Sequence, residues 1–259
     1  MNKTSRQSFL GANQEEVLAN QTAGIIGLCG GGSHIAQQLA HIGVGAFVVA
    51  DFDDIEDTNL NRMVGSGPDD IGELKTDVIK RLINGIKPDA KVEVINDRWL
   101  NRYEAFQKCD VIFGCVDNYL ERSNLESFCR KNSMLYIDIG MDVHSVSNGY
   151  LISGQVIVSK PNGICMYCLG FLNDEVLAEE QEKYGDAGYK PQVIWPNGVL
   201  ASTAVGQYIG SILPWSLSIN VPEMIHYDGN RQAMSISGKL EFLRQKGCSH
   251  YSQKNDGMV

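Results

Sequence analysis

Residues 27–33 of this 259-residue chain read Gly27-Leu28-Cys29-Gly30-Gly31-Gly32-Ser33. A glycine cluster between an apolar run and a helical pattern lets backbone N–H groups and a helix N-terminus approach a phosphate with no Cβ in the way. Gly27, Gly30, Gly31 and Gly32 are thus candidate nucleotide-binding positions. Asp51 closes a second apolar run, residues 45–50, where an acid accepts hydrogen bonds from ribose hydroxyls. Asp53, Asn59, Arg62 and Lys75 follow. A hydride-transfer site has no use for an amide and two cations there. A triphosphate does, since Arg offers a fork of donors to phosphate oxygens and Lys a point charge. Asp117, in Gly114-Cys115-Val116-Asp117-Asn118, is expected at the tip of a strand, where a carboxylate holds Mg²⁺ through water. The glycines and Asp51 alone do not separate NAD from ATP. Cys29 stands where a strict G-x-G-x-x-G has glycine, which disfavours an NAD-dependent oxidoreductase.

Strands and helices must hold these groups. Apolar runs predict strands over residues 22–28, 45–50, 91–95, 111–116 and 135–139. Helical spacing predicts helices over residues 33–42 (Ile35, Leu39, Ile42), 75–86 (Val78, Ile79, Leu82, Ile83, Ile86), 103–108 and 120–131. Strands that alternate with helices and are apolar throughout imply a Rossmann-like α/β fold, a mostly parallel sheet with helices on both faces. After Gly140 the pattern changes. A strand is expected over residues 154–159, an acidic helix over 174–184, and a loop with Gly185, Gly188, Pro191 and Pro196. A small-residue helix over 198–213 and short strands near 224–227 and 233–237 follow. No linker divides the chain, so these strands should extend one sheet within a single domain, residues 1–259. The tail beyond Gly247 is polar and should fray unless something ties it down.

A net charge of −9 argues against a nucleic-acid surface, which needs clustered Lys and Arg. No apolar run approaches the roughly 20 residues of a membrane helix, and the N-terminal stretch lacks the apolar core of a signal peptide. The expected setting is cytoplasmic, with no membrane partner.

With its motifs in this order, the chain resembles the ThiF/MoeB/HesA family of adenylating enzymes, which includes the ubiquitin-activating enzymes. The resemblance rests on the glycine loop, Asp51, Asn59-Leu60-Asn61-Arg62, Lys75 at its glycine-led helix start, and Cys115-Val116-Asp117-Asn118. Arg6-Gln7 followed by Leu10, Gly11 and Gln14 matches the family's lead-in. It implies a nucleotide-binding half, residues 1–140, and a carrier-binding and dimerisation half, residues 141–259. Asp51 would bind the ribose of ATP. Asn59, Arg62 and Lys75 would bind its phosphates, and Asp117 would hold Mg²⁺. Arg6 would reach the ATP of the other subunit, which requires a homodimer.

The implied reaction is attack on the α-phosphorus by the C-terminal glycine carboxylate of a ubiquitin-like or sulfur-carrier protein, releasing pyrophosphate. A carboxylate is already a nucleophile, so no general base is needed. Residues 154–161 and 184–198 are the expected groove for the carrier's tail. A small peptide or a tRNA base is the alternative substrate, the acidic charge counting against tRNA.

Cys165-Met166-Tyr167-Cys168 is the C-x-x-C of the chain. Two thiolates are half of a tetrahedral zinc site, and the family completes it with a second pair near the C-terminus. Here that place reads Cys248-Ser249-His250, which leaves a Cys₃His zinc site and a metal-free set of thiols as alternatives. No cysteine falls in residues 181–197, and Cys165, Cys168 and Cys248 are left as the candidates for any thioester step. This altered pattern slightly favours a bacterial ubiquitin-like conjugation system with an E2-like partner over cofactor sulfuration.

Overall fold

A computed structural model describes residues 5–182, 191–215 and 221–251. Five strands lie parallel: β1 (Thr22–Ile26), β2 (Ala46–Ala50), β3 (Lys91–Ile95), β4 (Val111–Gly114) and the first part of β5 (Leu135–Val146). β6 (Gly149–Ser159), β7 (Met224–Asp228) and β8 (Ala233–Ile236) add on antiparallel, giving one eight-stranded sheet in the order β3-β2-β1-β4-β5-β6-β7-β8. The second half of the chain therefore extends the sheet of the first, as its pattern implied.

Helices cover both faces. On one, α2 (Gly30–Ile42), α3 (Lys75–Ile86) and α6 (Ile194–Ile212) bury Ile35, Leu39, Ile79, Ile83, Leu200 and Tyr208 against the sheet. On the other, the 3-10 segment Trp99–Phe106, α4 (Tyr119–Lys131) and α7 (Leu240–Lys246) bury Trp99, Phe106, Leu125 and Leu240. Each such large side chain contributes about 1.5–3 kcal/mol. α1 (Gln14–Ala19) leads into β1, and α5 (Asp174–Glu182) packs on α4.

The strand order reverses between β1 and β4, so the loops leaving their carboxyl ends diverge and open a crevice. The glycine loop follows β1 and the Asp117 loop follows β4, which places both motifs there.

Several boundaries differ from expectation. β1 stops at Ile26 and α2 begins at Gly30, so Gly30, Gly31 and Gly32 form a helical turn rather than a loop. β5 and β6 continue as a hairpin arm, pairing Met141↔Gly154 through Val146↔Gly149. The sequence reading missed the arm because its residues are largely exposed and form no buried apolar run. α6 starts at Ile194, ahead of the expected 198, since Pro196 sits in a first turn that needs no N–H from it. α7 was not anticipated. Gly185 and Gly188 lie outside the described residues.

Candidate active site

The glycine loop is shaped by close packing. Gly27 has φ +85°, and a Cβ there would lie 2.5 Å from the Cys115 carbonyl oxygen. A Cβ on Gly32 would fall 1.9 Å from the Gly27 carbonyl oxygen. The first turn of α2 is thus wedged onto the loop, with Gly31 against Ile139 and Gly30 against the Asn197 amide of α6. Close approach explains these glycines at least as well as access for phosphate. The N-cap, Cys29, supplies no side-chain acceptor, which leaves the first N–H groups of α2 for a ligand anion.

Asp51, directly after β2, is tied into this loop. Its carboxylate accepts the Leu28 N–H (2.7 Å) and the Asp53 N–H (3.0 Å). Burial pushes the carboxyl above its ordinary value, opposed by Lys75 and those two N–H groups. Lys75 opens α3 and is buried. Its ammonium donates to Asp53 (2.7 Å) and lies 3.8 Å from Asp51. The backbone fixes this meeting: Ile55 N–H bonds to Glu73 O, Gly72 N–H to Ile55 O and Lys75 N–H to Asp53 O. The Gly72-Glu73-Leu74-Lys75 run thus folds back as a short bridge alongside residues 53–55.

Asn59 is buried, and its side-chain oxygen accepts the Glu56 N–H (3.1 Å), closing the turn Asp57–Asn59. Arg62 donates from one terminal nitrogen to Thr58 O (2.5 Å) and Asn61 Oδ1 (3.1 Å), while its buried Nε has no partner. Arg62, Lys75 and Asp51 all bear on the Cys29 thiol, which burial pushes up and the two cations pull down. Asp51, Asp53, Arg62 and Lys75 therefore gather beside Cys29, whereas the Asn59 side chain is spent on closing its own turn.

Asp117 is exposed and lies past the end of β4 rather than at its tip. Its loop abuts the glycine loop, since Cys115 N–H bonds to Ile26 O (2.8 Å) and Gly27 packs on Cys115 and Val116. Mg²⁺ takes one or two carboxylates together with water and substrate phosphates, and one exposed carboxylate on the loop beside the first turn of α2 fits that demand. Asn118 caps α4 by accepting the Glu121 N–H (2.7 Å). The Glu180 carboxylate of α5 takes the Tyr119 and Leu120 N–H groups (2.9 Å each).

Arg6 does not join this set. It is exposed in the 3-10 segment Ser5–Leu10, where Phe9 packs edge-on to Trp215 and Gly11 lies against Pro214. That is the far end of α6. Asn197, at the near end, touches Gly30, and about 24 Å of helix separates it from Leu213.

The cysteine motif forms a separate centre. Cys165, Cys168, Cys248 and His250 present ligand atoms all within 4.8 Å of one another. Cys165 Sγ lies 3.5 Å from Cys168 Sγ and 3.5 Å from His250 Nδ1, and Cys168 Sγ lies 3.4 Å from the same nitrogen. A tetrahedral ion with Zn–S about 2.3 Å and Zn–N about 2.0–2.1 Å needs edges of roughly 3.5–3.8 Å, so the donor set fits zinc. Burial raises the Cys248 thiol, but the N–H groups of Tyr251 and His250 and the neighbouring thiols outweigh it and hold it below its ordinary value. This centre ties down the start of the tail, residues 248–251. It packs beside α4, where the buried Arg130 donates to the carbonyls of Pro161, Gly163 and Ile164 ahead of Cys165.

Sequence reasoning missed Asn197, Arg122 and Asp138. Each read as an ordinary polar residue, and the only available signal was the place of Arg122 in the turn that follows the Asp117 loop.

A glycine-bounded crevice of this kind belongs to the nucleotide-binding α/β proteins. Comparison with known families narrows it: the model of the ThiF family matches residues 2–249, and the chain belongs to the ThiF family. It is 33% identical over 147 residues to the SAMP-activating enzyme E1 of Haloferax volcanii, covering 56% of this chain and 52% of that one. It is 26% identical over 148 residues to ubiquitin-like modifier-activating enzyme 5 of Caenorhabditis elegans, covering 52% of this chain and 35% of the relative. A tRNA threonylcarbamoyladenosine dehydratase of Haemophilus influenzae is 32% identical over 124 residues, covering 45% and 46%. The chain thus spans between about a third and a half of these relatives. Among solved structures, E. coli MccB with ATP superposes at TM-score 0.73, with 24% identity over 92% of this chain and 71% of that one.

Proposed function

We propose that the chain is a single ATP-dependent adenylation domain, residues 1–259, that acts on the C-terminal carboxylate of a ubiquitin-like or sulfur-carrier protein. The observation that carries this reading is the convergence of Asp51, Arg62 and Lys75 at the glycine loop, with Asp117 on the adjoining loop. The first turn of α2 cradles phosphate, Asp51 takes the ribose, and Arg62 and Lys75 take phosphate charge. The carboxylate attacks the α-phosphorus, the bond to the β-phosphate oxygen breaks, and pyrophosphate leaves. Arg62 and Lys75 stabilise the charge that develops, and positioning does the rest. Mg²⁺, held at Asp117, supplies further neutralisation. Zinc at the cysteine centre is structural, and binding it leaves no free thiolate there for a thioester.

The carrier's tail lies in a cavity of about 470 Å³ lined by Asn61, Val143, Tyr150, Ile152, Val193 and Trp195. Asn61, the sequence neighbour of Arg62, lines this cavity and donates to Gln192 O (3.0 Å). This amends the expected groove. Residues 154–159 are mostly buried in β6, part of the second segment contributes through residues 191–195, and residues 184–190 lie outside the described residues. The apolar lining and the net charge of −9 favour a peptide tail over a tRNA base.

The protein acts as a homodimer in the cytoplasm. The distance of Arg6 from the glycine loop of its own chain supports its use in trans. Of the described helices none is long and apolar enough to cross a membrane.

Thermal shift tests the nucleotide, because a ligand that binds only the folded state raises Tm. ATP with Mg²⁺ should raise it, and NAD should not. ATP–pyrophosphate exchange, stimulated by a ubiquitin-like protein ending in glycine, tests the chemistry. A response to NAD alone would overturn the reading.

A further inference from the structure

Beneath the Asp117 loop lies an ion pair with no part in the chemistry above. Arg122, closing the first turn of α4, pairs through one terminal nitrogen with Asp138 of β5; the side chains are 8% and 0% exposed. Tyr136 donates its hydroxyl to the other Asp138 oxygen (3.0 Å). The second terminal nitrogen of Arg122 donates to the Val116 carbonyl (2.7 Å). The fold clears space for this arrangement. A Cβ on Gly140 would lie 2.7 Å from the guanidinium, and one on Gly114 would lie 2.3 Å from the Tyr136 hydroxyl.

A buried ion pair is a poor way to stabilise a fold, since apolar groups of similar volume often do as well or better. What an apolar side chain cannot do is hold a carbonyl. Val116 immediately precedes Asp117, and its carbonyl is the loop's tie to the sheet interior on that side. The Cys115 N–H to Ile26 and the Asn118 cap secure the loop on either flank. We propose that Arg122 is a positioning residue: anchored by Asp138, it fixes the Val116–Asp117 peptide and so sets the Asp117 carboxylate for the metal–phosphate end of the site.

This inference rests on the adenylation reading. The planar fork of Arg122 serves Asp138 and Val116 at once, which a single ammonium does not reproduce. The experiment titrates Mg²⁺ into the Tm shift caused by ATP, with no acyl substrate present. In Arg122→Lys the Mg²⁺ concentration for half effect should rise about 10-fold, as for other residues that orient metal ligands. In the neutral double variant Arg122→Met/Asp138→Asn, the Tm without nucleotide should stay near wild type while the Mg²⁺ requirement stays raised. Restoration of both together in the double variant would reduce Arg122 to a stabilising role and overturn the proposal. So would an unchanged Mg²⁺ requirement in Arg122→Lys, which decides the matter if the double variant does not fold. A wild-type protein that ignores ATP at every Mg²⁺ level would overturn the adenylation reading and this proposal with it. A wild-type response that Arg122→Lys leaves intact overturns this proposal alone.

Discussion

Replacing Lys75 by methionine should destabilise the protein in a way that depends on pH. Methionine keeps most of the stem's volume and removes the charge. The ammonium lies 3.8 Å from Asp51, both side chains being 8% exposed. At that separation and an effective dielectric of about 20, the attraction is about 4 kcal/mol. Asp53 is closer but half exposed, so its share is under about 1 kcal/mol. Without Lys75 the Asp51 carboxylate keeps its two N–H donors and loses its cation. Burial already pushes this carboxyl above its ordinary value of 3.8, and Lys75 is the chief opposing influence, so the variant pushes it higher. A carboxyl that holds its proton more tightly when folded costs no stability below its unfolded value. The cost grows as pH rises through the window between the unfolded and folded values. Burial pulls the Lys75 ammonium down, but Asp51 and Asp53 outweigh it and hold it above 10.5, so in the wild type its contribution is fully present throughout that window. The deficit of Lys75→Met should therefore be smallest at the acid end of that window, where Asp51 holds its proton in both proteins, and grow toward neutral pH by up to about 3 kcal/mol. For a domain of this size that is roughly 6–12 °C in Tm. Tm measured without nucleotide across this range, with Lys75→Arg as the charge-retaining control, provides the assay. An equal deficit at both ends of the range would refute the argument.

Asp117→Ala should lower Mg²⁺-dependent pyrophosphate exchange by about 100-fold or more while leaving Tm nearly unchanged, because the side chain is exposed; near-normal exchange would remove the metal assignment. Arg6→Ala should be nearly inactive, and mixing it with Asp117→Ala should recover up to about half of wild-type exchange per mixed dimer. No recovery despite subunit exchange would mean that Arg6 does not act in trans. Protein purified without chelator should carry about one zinc per chain, and Cys168→Ser should lose the metal and several degrees of Tm. A metal-free wild-type preparation would leave the thiols simply reduced.

How much of this was legible beforehand follows from what each segment buries. β3 and α3 were predicted at their observed limits because Val78, Ile79 and Ile83 form one clean stripe and the strand sits between turn signals. The β5–β6 arm escaped because it projects beyond the parallel strands, where Val146, Tyr150 and Leu151 stay exposed and no buried apolar run marks the strand. α2 began earlier than its apolar periodicity, since three glycines carry no hydrophobic signal although they are buried in its first turn. Asp51, Arg62 and Lys75 were legible because acid and cations after a strand have few other uses. Their joint approach to Cys29 depends on the backbone bridge between residues 53–55 and 72–75, which no periodicity encodes.

α4 illustrates the harder case. Its sequence, Tyr119–Lys131, is rich in charge, and on a helix such residues ordinarily mark a solvated face. Here Arg122 and Arg130 both turn inward, and each spends its fork on backbone carbonyls as well as on an acid. Arg122 serves Val116 beside Asp117, and Arg130 serves the segment 161–164 ahead of Cys165, while Glu126 accepts the Met166 N–H (2.9 Å) and the Ser159 hydroxyl (2.6 Å). Irregular backbone cannot be buried unless its polar groups are satisfied, and in both places the loops do not supply the partners themselves. The charged residues of α4 meet that requirement at the Asp117 loop and at the cysteine centre alike. One helix thereby fixes two sites that lie far apart in sequence. That role depends on which carbonyls the fold brings to the helix, so it became visible only once the loops were in place.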